Sequence, residues 1–252
     1  MGDLRTVHDQ MGREVTFSFP PKRIISLVPS QTEFLIDIGA PVVGRTKFCI
    51  HPEDKIQDIL IIGGTKNFRF DMIKELKPDL IIGNKEENYE EGIYQLQTDF
   101  PVWMSDITSL DDSFQMMQAL GELVNAQTPT QNILAECKVA TDLVKGTKFG
   151  SALYLIWQKP WMAAGSETFI DHILHHLGYE NVIQTPRYPE ISIEEIQKLA
   201  PEYLFFSSEP YPFKEQHIQE AEALFPNSKC RLVDGEIYSW YGSRLRFWKE
   251  EA

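Results

Sequence analysis

The chain lacks any apolar stretch long enough to cross a membrane, and it is poor in positive charge. None of its hydrophobic runs approaches the roughly 18 residues that a membrane-spanning helix needs. Its 24 lysines and arginines are outnumbered by 37 aspartates and glutamates, which gives a formal net charge of −13. Because nucleic-acid binding depends on clustered positive charge against phosphate, we expect neither a nucleic-acid partner nor a membrane span.

A secretory leader and a disulfide framework are also missing. The first fifteen residues, MGDLRTVHDQMGREV, lack the basic and then apolar pattern of a signal peptide. This predicts a cytoplasmic protein for the chain as written, and a periplasmic one if a leader has been removed. The three cysteines, Cys49, Cys137 and Cys230, are widely spaced, so they predict neither disulfides nor a Cys-x-x-Cys zinc site.

The N-terminal half is organised around a strand that runs into a helix. Ile24 to Val28 is an apolar run typical of a buried strand, and Pro29 ends it. Ser30 and Glu33 have the S-x-x-E spacing of a capping box, which predicts that a helix starts here. In open α/β sheets a ligand commonly lies above such a strand end, near the positive end of the helix dipole.

Strands alternate with helices before and after residues 109–149, which show only helical periodicity. The segment FDMIKELKPDLIIG, from Phe70, matches IEEIQKLAPEYLFF, from Ile193. Each is a short amphipathic helix, then a proline and an acid, then an apolar strand. We therefore predict an α/β fold with two repeated lobes, residues 1–108 and 150–252, joined by a helical linker, residues 109–149.

The repeat superposes Asp71 on Glu194, each at the start of a matched helix. Acidic residues at such positions interact favourably with the helix dipole, and this alone can account for them. The alternative is that they are a pair of docking charges for basic residues on a partner with two-fold symmetry.

Five segments follow one another in the order of a known family. They are RIISLVPSQTEFLIDIGAPVVG, KFCIHP, GGTKN, FDMIKELKPDLIIG and YPEISIEEIQKLAP. This order resembles the helical-backbone substrate-binding proteins, which are the receptors of ABC importers for cobalamin, haem and iron-siderophores. The resemblance implies two Rossmann-like lobes with parallel sheets, joined by one long helix near Pro129 to Lys145. It also implies a monomer that holds a metal chelate between its lobes, without a catalytic role or a resident cofactor.

The resemblance assigns roles to particular residues. In the family, one acid per lobe docks on arginines of the membrane permease, and these positions fall on Asp71, where the family usually has Glu, and on Glu194. Flat aromatic faces suit a corrin, a haem or an aryl siderophore, and an arginine suits a ligand carboxylate. The expected ligand-binding residues are Phe48, Trp157, Trp161, Tyr188, Trp240, Tyr241 and Arg244. The alternatives are that the aromatic residues pack at the interface between the lobes and that Arg244 is a solvated surface residue.

Two groups of side chains could bind a metal. Cys49 and His51 are two residues apart, which allows both to reach one ion, but no third ligand is identifiable and a structural role is favoured. His172, His175 and His176 share one helix, and exposure to solvent is the favoured interpretation for them. With these groups as ligands, a tetrapyrrole metal chelatase remains an alternative to the receptor. A cytosolic corrinoid carrier without a permease is a third possibility.

Overall fold

Parallel strands alternate with helices along most of the chain, as the sequence predicts. The computed structural model describes residues 3–249. Contacts divide the chain into two units: the first contains residues 1–107, 111–138 and 241–246, and the second contains residues 108–110, 139–240 and 247–252. The predicted separate linker, residues 109–149, stays a prediction. Among the described residues, no helix is both long and apolar enough to cross a membrane.

The first half of the chain contains nine strands and six helices within residues 3–143. They are β1 (Asp3–His8), β2 (Glu14–Phe19), β3 (Ile24–Ser26), α1 (Pro29–Asp37), β4 (Val42–Arg45), α2 (Glu53–Ile56), β5 (Leu60–Ile61), β6 (Gly63–Gly64), β7 (Asn67–Phe68), α3 (Phe70–Leu76), β8 (Leu80–Asn84), α4 (Glu90–Asp99), β9 (Val102–Ser105), α5 (Leu110–Leu123) and α6 (Gln127–Leu143). Five strands form a parallel sheet in the order β5-β4-β3-β8-β9. Two antiparallel pairs, β1 with β2 and β6 with β7, lie outside it.

The second half carries five strands and four α-helices between residues 150 and 239, followed by a 3-10 helix. They are β10 (Gly150–Trp157), β11 (Met162–Ala163), α7 (Phe169–His176), β12 (Tyr179–Asn181), α8 (Ile193–Leu199), β13 (Tyr203–Ser207), α9 (Glu215–Leu224), β14 (Lys229–Val233), α10 (Gly235–Ser239) and the 3-10 helix Gly242–Phe247. The sheet order is β11-β10-β13-β14, and β12 also pairs with β10. All these pairs are parallel except β10 with β11.

The central strands of both sheets are apolar and buried. Ile24, Ile25 and Ile81 in the first unit, and Leu153 and Leu204 in the second, have no exposed surface. Strands buried on both faces read as continuous apolar runs, and βαβ connections then place helices against them. The apolar runs that predicted these strands therefore also supply the side chains of the two cores.

The structure confirms the internal repeat. Helices α3 and α8 are seven residues each, and each ends at a residue in the left-handed region, Lys77 with φ 46° and Ala200 with φ 43°. A proline follows in both copies, and then a five-residue buried strand, β8 or β13. In both units the next helix leads to a parallel neighbouring strand, β9 or β14.

Candidate ligand-binding and docking residues

The carboxyl edge of the first unit's sheet is lined by buried polar side chains. Ser26, Asn84 and Ser105 end β3, β8 and β9. Asn84 Nδ2 donates to Ser105 Oγ at 3.0 Å, and the hydroxyl of Thr32 donates to Ser26 Oγ at 2.7 Å. Buried polar groups that satisfy one another fix the geometry of an edge. The loops that leave this edge therefore start from a rigid base.

Phe48 lies in the loop that follows β4, at this carboxyl edge. The residue is 48% exposed, and Nζ of Lys47 lies 4.8 Å from the centroid of its ring. A half-exposed aromatic ring with a cation over it can contact a flat ligand and attract a negatively charged one. Phe48 thus has the exposure that ligand binding requires, although ligand binding itself stays a prediction.

Cys49 is fully buried, and its thiol is engaged by neighbouring hydroxyls. Its Sγ lies 3.1 Å from the hydroxyl oxygens of both Thr32 and Thr46. Burial raises the pKa of the Cys49 thiol, which disfavours the thiolate that a metal would bind. Within residues 3–249, no group of three or more His, Cys, Asp or Glu side chains is arranged to hold a metal ion. The pair of Cys49 and His51 therefore gains no third ligand from that part of the chain.

Arg244 forms a buried, two-point ion pair with Glu33. Its Nη2 lies 3.0 Å from Oε1 and its Nε donates to Oε2 at 3.1 Å, with the two side chains 16% and 4% exposed. The alternative of a solvated surface arginine is therefore wrong. Burial raises the pKa of the Glu33 carboxyl, and the Arg244 guanidinium opposes that rise. A role of Arg244 in ligand binding stays a prediction.

The same ion pair overturns the predicted capping box. Helix α1 begins at Pro29, its N-cap residue is Val28, and no side chain caps it. Because the carboxylate of Glu33 faces Arg244, it is not folded back on the start of the helix. The same S-x-x-E spacing at the start of α8 does form a capping box: Ser192 N donates to Glu195 Oε2 at 2.8 Å, and Glu195 N donates to Ser192 Oγ at 3.2 Å.

Tyr241 belongs to the first unit and is almost completely buried there. It is 5% exposed, and burial raises the pKa of its hydroxyl well above the ordinary value, while contacts with Ser30 and Ser105 oppose the rise. The next residue, Gly242, donates its backbone N–H to Ser113 Oγ at 3.0 Å. Little of the Tyr241 ring is left for a ligand, and its predicted contact with one stays a prediction.

In the second unit, Trp157 ends β10 at the carboxyl edge of the sheet and is 39% exposed. Its ring meets that of Tyr211 edge to face, with centroids 5.4 Å apart. The hydroxyl of Tyr211 donates to Gln158 Oε1 at 3.0 Å. Trp157, Tyr211 and Gln158 thus form an aromatic platform with a polar rim, which can stack on a ligand and hydrogen-bond to its periphery.

Trp240 is held by a partly buried carboxylate, that of Glu209. It is 7% exposed, and its Nε1 donates to Glu209 Oε1 at 2.7 Å. Burial raises the pKa of the Glu209 carboxyl, and the hydrogen bonds from Trp240 and Ser239 oppose that rise. Tyr188 is partly buried in the loop between β12 and α8. The proposed ligand contacts of Trp240 and Tyr188 stay predictions.

The three histidines on α7 are not arranged as a metal site. His175 Nδ1 donates to the carbonyl of Asp171, and His176 Nε2 donates to the carbonyl of Thr141, both at 2.8 Å. The rings of His172 and His176 stack with centroids 6.5 Å apart. His175 and His176 therefore each have one ring nitrogen engaged by a backbone carbonyl.

The predicted docking acids lie at equivalent, exposed positions. Asp71 and Glu194 are each the second residue of their helix, α3 or α8, and each lies in its first turn. The alignment of the two short segments is therefore correct to the residue, because Asp71 and Glu194 occupy the same position of their helices. A role in docking is tested by nothing in the structure and stays a prediction.

Glu209 and Tyr211 were missed by the sequence analysis, although a signal for them was present. The polar run Ser207 to Tyr211 follows directly after an apolar strand, where the carboxyl edge of a parallel sheet collects functional side chains. The link from Glu33 to Arg244 has no comparable signal, because it joins residues 211 positions apart.

Known proteins match this chain over most of its length. The profile of the periplasmic binding protein family matches residues 24–225. A vitamin B12-binding protein of Vibrio campbellii is 24% identical over 198 residues, which are 75% of this chain and 71% of that protein. The Fe(3+)-citrate-binding protein YfmC of Bacillus subtilis is 25% identical over 222 residues, which are 82% of this chain and 69% of that protein.

A solved structure shares the fold. It is a possible iron-binding, periplasmic solute-binding protein from Staphylococcus epidermidis, and it aligns with a TM-score of 0.75 at 22% identity. The alignment covers 90% of this chain and 95% of the other. The predicted fold class, two α/β lobes with parallel sheets as in the periplasmic binding proteins with a backbone helix, is therefore confirmed.

Proposed function

Because the chain belongs to the periplasmic binding protein family, we propose that it is the substrate-binding protein of an ABC importer and that its cargo is a metal chelate, either a corrinoid or a ferric chelate. Two named relatives, which bind vitamin B12 and Fe(3+)-citrate, support this choice of cargo. Binding without turnover is part of the proposal, since these proteins are named as binding proteins. The chelate is cargo that the protein releases, and no resident cofactor is involved.

The observation that carries the proposal is that exposed aromatic faces occur at the carboxyl edge of both sheets. Phe48 presents one in the first unit and Trp157 the other in the second, and in α/β proteins ligands bind at this edge. Large planar ligands gain most from such faces, because an aromatic side chain buries much area at little entropic cost. Tyr188 joins these two as a proposed contact.

The buried candidates have a different part in the proposal. Arg244, Trp240 and Tyr241 are held by Glu33, by Glu209 and by the polar edge of the first sheet. Their proposed contribution is to fix the loops from which the exposed residues reach the chelate.

Docking to a permease is proposed for Asp71 and Glu194. Both are exposed, and both occupy the second position of the repeated helix. A partner built from two related halves would meet the same local surface on each unit. Import requires the protein to work on the outer side of the cytoplasmic membrane. Of the two locations considered from the sequence, this is the periplasmic one.

Calorimetric titration with cyanocobalamin, haem, ferric citrate and a ferric siderophore tests the proposal. We expect submicromolar binding of one chelate, with no chemical change in it. The variants Phe48→Ala and Trp157→Ala should each weaken binding about tenfold, which corresponds to about 1.4 kcal/mol.

The matched control is Phe149→Ala. Phe149 is 55% exposed and directly precedes β10, so it lies at the opposite end of the strand that Trp157 ends. Its loss should leave chelate binding unchanged. The proposal would be contradicted if none of the four chelates bound. It would also be contradicted if Phe149→Ala weakened chelate binding as much as Phe48→Ala and Trp157→Ala do.

A further inference from the structure

Phe48, the half-exposed ring of the first unit, lies against a short hairpin. The backbone N–H of Lys47 donates to the carbonyl of Gly63 at 2.8 Å, which joins the loop that carries Phe48 to the β6–β7 hairpin, residues 63–68. A β-carbon on Gly64 would lie 3.3 Å from Cε2 of Phe48 and 3.7 Å from Cε of Lys47. A contact of 3.3 Å is tighter than most β-carbons make, so the ring occupies space that glycine leaves open.

The candidate rings of the second unit are held in a different way. Trp157 meets Tyr211 edge to face, and Trp161 stacks on Phe213 with centroids 6.1 Å apart and planes at 10°. Trp161 is partly buried, and its predicted contact with the cargo stays a prediction. These two rings are fixed by other rings, whereas the orientation of Phe48 depends on the hairpin beneath it.

Asn88 holds this hairpin to the sheet. It is 5% exposed, and its Nδ2 donates to the carbonyl of Thr65 at 3.2 Å and to that of Leu27 at 3.3 Å. Its Oδ1 accepts from the backbone N–H of Asn84 at 2.9 Å. Leu27 follows β3 and Asn84 ends β8, so a single amide ties the hairpin to two adjacent strands of the parallel sheet. A buried side chain with its donor and its acceptor both engaged has a fixed position.

Two further contacts join the hairpin to the loop that follows β8. Nζ of the exposed Lys66 donates to the carbonyl of Glu86 at 2.8 Å. The ring of Phe68, which is 4% exposed, lies with its centroid 4.9 Å from that of Tyr89. Because Phe68 anchors the far strand of the hairpin, loss of the Asn88 hydrogen bond should shift the turn at Thr65 rather than unfold it.

We propose that Asn88 is a positioning residue for cargo binding: it fixes the carbonyl of Thr65, thereby holds Gly64 against Phe48, and so sets the angle at which the ring meets a flat ligand. Asn88 is buried and acts through Phe48. A ring already held in its binding orientation loses less conformational entropy when a ligand stacks on it. The inference deepens the proposed function, on which it rests for the cargo, and adds two residues to which the sequence analysis gave no role.

Chelate calorimetry on variants of this arrangement tests the proposal. Asn88→Asp keeps the size and the acceptor of the side chain but removes its donor to Thr65, and we expect about fivefold weaker binding of the chelate. Gly64→Val places methyl groups against the Phe48 ring and should weaken binding at least as much, and it leaves Asn88 intact should Asn88→Asp fail to fold. The matched control, Val102→Ala, removes buried volume at the start of β9 in the same unit and should leave the affinity unchanged.

Coupling to Phe48 distinguishes positioning from a general effect on stability. Asn88→Asp added to Phe48→Ala should not weaken chelate binding further, because the ring through which Asn88 acts is gone. A merely structural Asn88 would give the same loss of affinity with and without the ring. That result would overturn the proposal, and so would unchanged affinity in both Asn88→Asp and Gly64→Val.

A measurement without any chelate separates this inference from the proposed function. With 4-fluorophenylalanine in place of Phe48, the ¹⁹F resonance reports the surroundings of the ring. The resonance should move in Asn88→Asp and in Gly64→Val and stay in place in Val102→Ala. If it moves in this way and no chelate binds, the proposed function fails and the control of the Phe48 ring by Asn88 stands. If chelates bind and the resonance responds to neither Asn88→Asp nor Gly64→Val, the inference fails alone.

Discussion

Arg244 and Glu33 form a buried ion pair in which two guanidinium nitrogens meet two carboxylate oxygens, at 3.0 and 3.1 Å. One residue is near the end of the chain and the other is in its first helix. Two residues further along the 3-10 helix, Arg246 pairs with Asp37 at 3.0 Å, one turn further along α1. The 3-10 helix thus supplies a cation to both acids of α1, the buried Glu33 and the partly buried Asp37.

Removal of Arg244 should destabilise the protein strongly. Arg244→Ala leaves the Glu33 carboxylate buried without its cation, and we expect a loss of about 3 kcal/mol in the free energy of unfolding. Urea unfolding followed by circular dichroism measures it. Adding Glu33→Gln to Arg244→Ala should recover part of the loss, since it removes the uncompensated charge.

The control for this change is Arg69→Ala, which removes an exposed arginine whose contact is with Met72. It should change the free energy of unfolding by less than about 0.5 kcal/mol. Equal stability of the Arg244→Ala and Arg69→Ala proteins would show that the buried pair contributes nothing.

Glu209 should make stability fall as the pH rises from acid. Burial raises the pKa of its carboxyl in the folded protein above the ordinary value of 4.5. As the pH passes upward through 4.5, the unfolded chain loses its proton first, so the folded state binds more protons and loses relative stability. Glu209→Gln lacks this titration, and its stability relative to the unmodified protein should therefore increase with pH over this window.

Chemical denaturation at a series of pH values measures that difference. Glu220→Gln, which removes an exposed carboxylate from the same unit, is the control and should not show the trend. A difference between the Glu209→Gln and unmodified proteins that stays flat, or decreases with pH, would contradict the prediction.

The three cysteines should differ in their reaction with a thiol reagent. Cys49 and Cys137 are buried, and burial raises the pKa of the Cys49 thiol and raises that of Cys137 to about 12. Cys230 is partly exposed, and burial raises its pKa to about 11. Because the thiolate is the reactive form, we expect only Cys230 to react in the folded protein, and slowly.

Spectroscopic titration with Ellman's reagent tests this order. One thiol should react slowly in native protein and all three in denaturant. Cys230→Ser should abolish the native reaction. A fast native reaction in that variant would mean that Cys49 or Cys137 is more accessible than the structure shows.

The fold could be predicted from the sequence because its signals are local and occur twice. The short helix at the start of the segment from Phe70 was predicted, and the match of that segment at Ile193 identified the second unit. Apolar runs between prolines and glycines fixed the strands in the same way. Each of these patterns lies within about a dozen residues, which is the range over which periodicity can be read.

The two capping patterns show where local reading fails. Ser30 with Glu33 and Ser192 with Glu195 have the same spacing, yet only the second pair forms a capping box. Glu195 is exposed, so the start of its own helix is its best partner. Glu33 is buried beside Arg244. Because the two residues are 211 positions apart, the sequence around Glu33 does not reveal their ion pair.

The candidate site could be predicted only in part for a related reason. The positions of Phe48 and Trp157 after strands were readable from the sequence, but their exposure was not. Trp240 and Tyr241 looked equally suited to a ligand, and burial against Glu209 and the first sheet separates them from the exposed residues. Side-chain direction in irregular loops depends on tertiary contacts that composition does not reveal.

The assignment of residues 241–246 to the first unit has a consequence for biosynthesis. A ribosome makes Glu33 and Asp37 early, but it makes their arginines only after residues 139–240 have been translated. The two ion pairs of the first unit can therefore form only after residues 139–240 of the second unit have been made. Until then the nascent polypeptide carries two carboxylates without their native counter-ions.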